Sequence, residues 1–294
     1  MMEHFDVDSW SGPFAPETRA RAQASLESGA VLFFPRLGFR LANSEMEFLD
    51  SRLTNGKAKN ISLDSSTGKL QGTSAIGEKA ARLAAMIERF GADATQFVSD
   101  LLPNYAEVER ARTSYRPVEV EGRGYSVIKD DRLLHVDAFP SRPMQEGRRI
   151  LRFFANVAPA KANGGGSRRW HVGEPFQDFA RKFAPHVRPH LPGQSWLFDR
   201  LGITRGKRSA YDEMMLSLHD AAKRDAAYQK NAPHTEVLFP PGSCWLVYTD
   251  MVLHAALAGE FALEQTFHFD VAKMGEPERA PIRVLEQLTG RALA

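Results

Sequence analysis

Leu133-Leu134-His135-Val136-Asp137 is the stretch on which the reading of this chain turns. Successive side chains of a β-strand point to opposite faces, so His135 and Asp137 share one face, with Leu134 and Val136 on the other. An imidazole and a carboxylate on one face can fill two adjacent corners of a metal site. A third ligand from a distant strand would complete two histidines and one carboxylate, the set that holds non-haem ferrous iron and leaves coordination positions open. The pair alone fits a His–Asp hydrogen bond on a sheet face equally well, so the third ligand decides. His254 is the best-placed partner, in the apolar segment Val252-Leu253-His254-Ala255-Ala256, just after one strong strand pattern and before another. Read without the pair, His254 is an ordinary core histidine.

Working outward, strand-like segments rich in Val, Phe, Tyr and Leu recur near 108–118, 124–129, 132–138, 149–157, 234–239, 244–249, 252–258 and 261–271. Helical stretches at about 174–183 and 211–227 interrupt them, and Arg283 to Thr289 reads as a closing helix. Upstream, Pro16 to Gly29 reads as a helix, Ala30 to Phe34 as a buried strand, and Asn43 to about Leu53 as a second helix. Ile76 to about Leu102 is helical by pattern, with a break expected at Gly91, while residues 54–75 look like a mobile loop. The expected fold is therefore α+β within one domain, 1–294. It consists of a mainly helical N-terminal layer (1–105) and a double-stranded β-helix, or jelly roll (106–294), with a helical insertion at about 174–227.

Composition narrows the function. The 294 residues are 43% hydrophobic and 25% charged, ordinary for a globular chain, and the formal net charge is +2, which argues against a nucleic-acid binder. One cysteine, Cys244, excludes an internal disulfide and a four-cysteine zinc site. The acidic start, Met1 to Asp6, lacks the apolar core of a secretory signal, and the apolar runs are too short to span a membrane. Any meeting with a membrane is expected at its surface.

If the open iron site takes 2-oxoglutarate, a cation must meet the distal carboxylate, and arginine suits it because its fork matches a carboxylate bidentately. Phe261, Leu263, Gln265, Phe267 and Phe269 share one parity, which points Gln265 into the apolar interior where a cation would be expected, and His268, with Glu264, Thr266 and Asp270, toward solvent. The cation must then come from elsewhere. Arg152, in the otherwise apolar Ile150-Leu151-Arg152-Phe153-Phe154, is the first candidate, Arg116 the second and Arg149 the third. Arg152 paired with a core carboxylate is the competing reading. His171 and His234 read as surface or loop residues, and His219 as part of a polar helix.

Longer blocks resemble the Kdo 3-hydroxylases: Leu133 to Pro143 with Gly147 to Arg152, then Trp170-His171-Val172-Gly173-Glu174-Pro175-Phe176, then Phe239 to Val247 with Thr249-Asp250 and Leu253 to Ala256. The resemblance implies an Fe(II)- and 2-oxoglutarate-dependent dioxygenase that hydroxylates C3 of the outer Kdo sugar of Kdo2-lipid A and releases succinate and CO2. It further implies a cytoplasmic enzyme, peripheral to the inner membrane, with an anionic glycolipid as partner. Arg168, Arg169, Trp170, Arg205, Lys207 and Arg208 are the candidate substrate contacts, and Arg200, Lys57 and Lys59 add to the basic surface. The alternatives are an oxygenase of the same metal type acting on a protein side chain or small acid, and a non-enzymatic jelly-roll binding protein.

Overall fold

The computed structural model describes residues 1–122, 124–139, 144, 147–161, 165–187, 200 and 206–293. In chain order the elements are β1 (Met2–His4), α1 (Pro16–Glu27), β2 (Val31–Phe34), β3 (Ile61–Leu63), β4 (Leu70–Gln71), α2 (Gly77–Leu101), β5 (Glu109–Arg116), β6 (Arg149–Asn156) and β7 (Arg168–Gly173). There follow α3 (Phe176–Phe183), α4 (Ala210–Arg224), α5 (Ala226–Asn231), β8 (His234–Phe239), β9 (Cys244–Tyr248), β10 (His254–Ala258), β11 (Ala262–Phe269) and α6 (Pro281–Thr289). The mixed helix-and-sheet architecture is as expected.

Among the described residues the strands form two sheets, one in the order β1-β2-β9-β6-β11-β5-β3-β4 and one in the order β10-β7-β8. Their pairings nest around the middle of the chain. β7 pairs with β8, β6 with β9, the His135 segment bridges β10, and β5 pairs with β11, all antiparallel. Aromatic residues fill the space between the two sheets. Trp170 meets Phe154, Phe239 and Trp245 edge-on at 5.1, 5.6 and 5.6 Å, and Trp245 stacks on both phenylalanines. Such pairs contribute about 0.5–1.5 kcal/mol each beyond the area they bury.

Helix α2 covers the opposite face of the large sheet. Its buried residues Leu83, Met86, Ile87, Phe90, Ala94, Phe97, Val98 and Leu101 follow helical spacing, and Phe90 and Phe97 reach Phe153 of β6. The break expected at Gly91 is absent: α2 runs through it. Gly91 is instead a point of close approach, where a Cβ would stand 2.0 Å from Arg110 Nη2 and 2.7 Å from Thr113 Oγ1.

Other expectations shift locally. The helix at 43–53 is two short 3-10 turns, Asn43–Phe48 and Ser51–Leu53. Residues 54–75 are not simply a loop, because buried Ile61 and Leu63 anchor a small hairpin, β3–β4, to the sheet edge beside β5. The 124–129 segment holds a 3-10 turn, Val127–Lys129, rather than a strand, and 132–138 contributes a single bridge at His135. Strand β7, which alternates buried and half-buried residues behind a glycine-rich loop, has no counterpart among the expected strands.

Candidate metal centre

His135 and His254 face each other across a reciprocal pair of backbone hydrogen bonds. The His135 N–H donates to the His254 carbonyl at 3.1 Å, and the His254 N–H to the His135 carbonyl at 2.9 Å. Both side chains are buried, and their rings lie 4.6 Å apart. Each Nδ1 sits against a carbonyl two residues back, Leu133 at 2.7 Å and Val252 at 2.8 Å. A carbonyl can only accept, so Nδ1 carries the proton and Nε2 keeps its lone pair. Asp137 is held by its own N–H, which donates to the Thr249 carbonyl at 2.7 Å, and its Oδ1 lies 3.8 Å from His135 Nε2. One ligand atom from each of His135, Asp137 and His254 falls within 4.8 Å of the others.

The electrostatics match a cation's demands. Burial pushes both imidazoles below their ordinary value, and at His135 the neighbouring His254 and Lys223 push the same way, so both stay neutral. Burial would raise the Asp137 carboxyl, but Arg152 and the two histidines outweigh it and hold the group well below the usual carboxylate range. The site therefore offers two neutral imidazoles and one carboxylate without first having to lose protons. Trp170 stacks on the His254 ring at 5.2 Å and closes the site from the core side.

Arg152 lies beside the cluster and not apart from it. Its Nη2 is 3.0 Å from Asp137 Oδ2 and its Nη1 3.3 Å from Glu264 Oε1, while its buried Nε has no hydrogen-bond partner among the described residues. Arg116 donates through Nε to Glu264 Oε2 at 2.7 Å. Arg116, Arg152 and Glu264 line a cavity of about 300 Å³ with Ser62, Ser114 and Thr266. The competing reading of Arg152 and the cationic one thus coincide in a single place, since one of its two carboxylate partners is Asp137 of the candidate cluster.

Strand β11 reverses the expected assignment of faces. The parity is as read, but both faces are buried, one under α2 and the other around the cavity. Glu264, Thr266 and His268 line the cavity and do not face solvent. Gln265 points the opposite way, toward α2, where its Oε1 accepts from Thr113 Oγ1 at 2.5 Å and Arg110 Nε at 3.2 Å, so it has no access to a cosubstrate. Arg149 is likewise withdrawn. It is fully buried and paired with Asp250, Nε to Oδ2 at 2.7 Å and Nη2 to Oδ1 at 3.1 Å.

The expected substrate contacts divide. Trp170 and Arg168 are buried, Trp170 between the sheets and Arg168 with Nη1 on the Gly259 carbonyl at 3.1 Å, so neither presents a surface to a substrate. Arg169 lies 4.0 Å from Glu236 on β8, beside the stacked His171 and His234 rings. Arg208 pairs with Glu213 at 3.4 Å, Lys207 is exposed, and Arg205 lies outside the described residues. Sequence reasoning missed Glu264, Lys223 and His219. His219 sits edge-on to His135 at 5.4 Å, and its spacing of four from Lys223 on a helix was the available signal.

Comparison with known proteins identifies the family. No curated protein matches the chain. Among solved structures, a crystal structure of the Kdo hydroxylase KdoO, a non-haem Fe(II), α-ketoglutarate-dependent dioxygenase in complex with α-ketoglutarate and Fe(III), is 43% identical, with a TM-score of 0.94 over 100% of this chain and 97% of that one. The same enzyme with cobalt(II) is 44% identical with a TM-score of 0.95, and its apo form 44% with 0.94, each covering 99% of this chain and 97% of that one. The family profile for 3-deoxy-D-manno-oct-2-ulosonic acid (Kdo) hydroxylase matches residues 9–292. With its buried histidine–aspartate cluster, adjoining arginine-lined cavity and a family match over nearly its whole length, the chain belongs to the Kdo hydroxylase family.

Proposed function

We propose that this chain is an Fe(II)- and 2-oxoglutarate-dependent dioxygenase that hydroxylates C3 of the outer Kdo of Kdo2-lipid A. The observation that carries this is the convergence of His135, Asp137 and His254, with their donor atoms unprotonated, beside a cavity walled by Arg116 and Arg152. The nested pairing of eight strand segments supports a jelly roll whose mouth holds the metal.

His135 Nε2, His254 Nε2 and an Asp137 oxygen would hold the iron. Ferrous iron in such an open site supplies activation of O2, coupling oxidative decarboxylation of 2-oxoglutarate to C–H hydroxylation. The protein's part is positioning. Arg152 fixes the free oxygen of Asp137, and the Nδ1 hydrogen bonds fix both ring planes. Arg152, with its unused Nε, and Arg116 would receive the distal carboxylate of 2-oxoglutarate. Those two arginines balance the charges of Asp137 and Glu264, so a divalent metal and a dianionic cosubstrate enter without leaving a net charge buried.

We further propose that the enzyme works at a membrane surface from the cytoplasmic side. No helix among the described residues is long and apolar enough to cross a membrane, and Lys57, Arg200 and Lys207 are exposed. Sedimentation with anionic vesicles at low salt tests this, since electrostatic attachment must weaken as salt rises.

Succinate release measured with and without Kdo2-lipid A, with mass analysis of the glycolipid, tests the activity. The expected result is glycolipid-dependent succinate and a product one oxygen atom heavier. Turnover indifferent to the glycolipid would point to another substrate, and no iron-dependent turnover at all would leave only the fold.

A further inference from the structure

The reaction brings a second anion to the metal. In a 3-deoxy-2-ulosonic acid the carboxylate is carried by C2, the neighbour of C3, so a C3 placed at the metal brings that carboxylate with it. On the strand side the cations are engaged: Arg152 lies between Asp137 and Glu264, and Arg116 is on Glu264.

The helix side is different. Helix α4 lies in the insertion between β7 and β8, and a capping box fixes its start, with Asp212 N–H donating to Ser209 Oγ at 3.1 Å and Ser209 N–H to Asp212 Oδ2 at 2.9 Å. His219 and Lys223, four residues apart, share one face of α4; His219 sits edge-on to His135, and Lys223 is near enough to act on His135 and to feel Asp137. Lys223 is 3% exposed, and its ammonium has three hydrogens but, among the described residues, a single acceptor, the Ile128 carbonyl at 3.1 Å. Among the described residues, the three carboxylates that act on it most strongly are each already held by another cation. Asp131 lies 3.0 Å from Lys59, Asp137 3.0 Å from Arg152 and Asp130 2.8 Å from Arg132. A buried charge in this condition is costly unless a partner arrives.

We propose that Lys223 receives the carboxylate of the sugar, so that α4 reads the acid function of the substrate while the strand arginines read the cosubstrate. This assignment rests on the Kdo hydroxylase reading above.

The test uses the full-length protein with Fe(II) and 2-oxoglutarate, and two substrates: Kdo2-lipid A and its counterpart methyl-esterified at the outer Kdo carboxylate. The wild type should prefer the acid by about ten- to hundredfold in kcat/KM, the range of a charge-assisted hydrogen bond. Lys223→Met, which keeps the apolar stem, should lose a similar factor on the acid and treat acid and ester alike, and Lys223→Arg should recover part of the preference. Cobalt(II) and 2-oxoglutarate should still bind Lys223→Met with a Kd within about twofold of wild type, unlike a variant with a disrupted fold. A wild type indifferent to esterification, or a Lys223→Met enzyme that still prefers the acid, would overturn the assignment. A wild type that binds cobalt and 2-oxoglutarate yet turns over neither glycolipid overturns the Kdo reading itself, a result distinct from the other two.

Discussion

Replacing Arg149 by methionine removes the cation from an ion pair whose side chains are 0% and 2% exposed. Asp250 would be left buried opposite an apolar chain, and breaking a buried pair in this way costs about 3–5 kcal/mol. The Arg149 guanidinium also lies 3.7 Å from the Tyr248 ring centroid, a contact that methionine replaces only in part. For a chain of this size about 2–4 °C of Tm accompanies each kcal/mol, so a fall of about 6–20 °C is expected at neutral pH. The sign of its pH dependence follows from Asp250, whose carboxyl burial already pushes above its ordinary 3.8 against the pull of Arg149. Without that pull it rises further, so the folded variant holds a proton that the unfolded chain has released. The penalty is therefore least in acid and grows as pH climbs through the raised value. Calorimetry across pH measures this. Because Asp250 lies in the 248–252 turn, where the Thr249 carbonyl holds Asp137 and the Val252 carbonyl holds His254, cobalt affinity should fall as well. The double variant Arg149→Met/Asp250→Leu should recover much of the lost stability, since no lone charge remains. A Tm loss under about 2 °C, or a double variant no more stable than the single one, would refute the reasoning.

Alanine at either Asp137 or His254 should weaken cobalt binding by at least about a hundredfold in titration calorimetry while the protein stays folded. Burial works to raise the Glu264 carboxyl, but Arg116 and Arg152 outweigh it and hold it below its ordinary 4.5. It contributes stability that is complete above about that pH and lost as pH falls through the lower folded value; Glu264→Gln should flatten acid unfolding in that window and cost about 3–5 kcal/mol at pH 7. Gly91→Ala should destabilise by about 1–3 kcal/mol, despite alanine's better helix propensity, because the added methyl displaces Arg110; denaturant unfolding measures it.

Most of the strands and the convergence of His135 and Asp137 could be read from the chain because both rest on local pattern: period-two alternation, and two side chains spaced for one strand face. His254 was legible because an imidazole in an otherwise apolar run demands an explanation. Which face of β11 is which was not, since alternation tells the two faces apart but not what covers each, and α2 arrives from far away in the chain. Arg149 and Arg152 differ by three residues on one strand and look alike in sequence. Only the fold shows that one meets Asp250 and the other Asp137. Lys223 and His219 were hidden by the charged residues around them on α4, whose average polarity conceals one face turned toward His135.

The reciprocal backbone bonds between His135 and His254 make the spacing of the two candidate donors a property of one β-bridge. That spacing does not depend on how many residues intervene, or on what they are. Residues between β7 and β8 that do not touch His135 or its neighbours can therefore change their chemistry over generations without moving the two imidazoles apart. Substrate choice and reaction chemistry are free to evolve separately, and a grafted insertion is a route to redirecting the enzyme to a new acceptor.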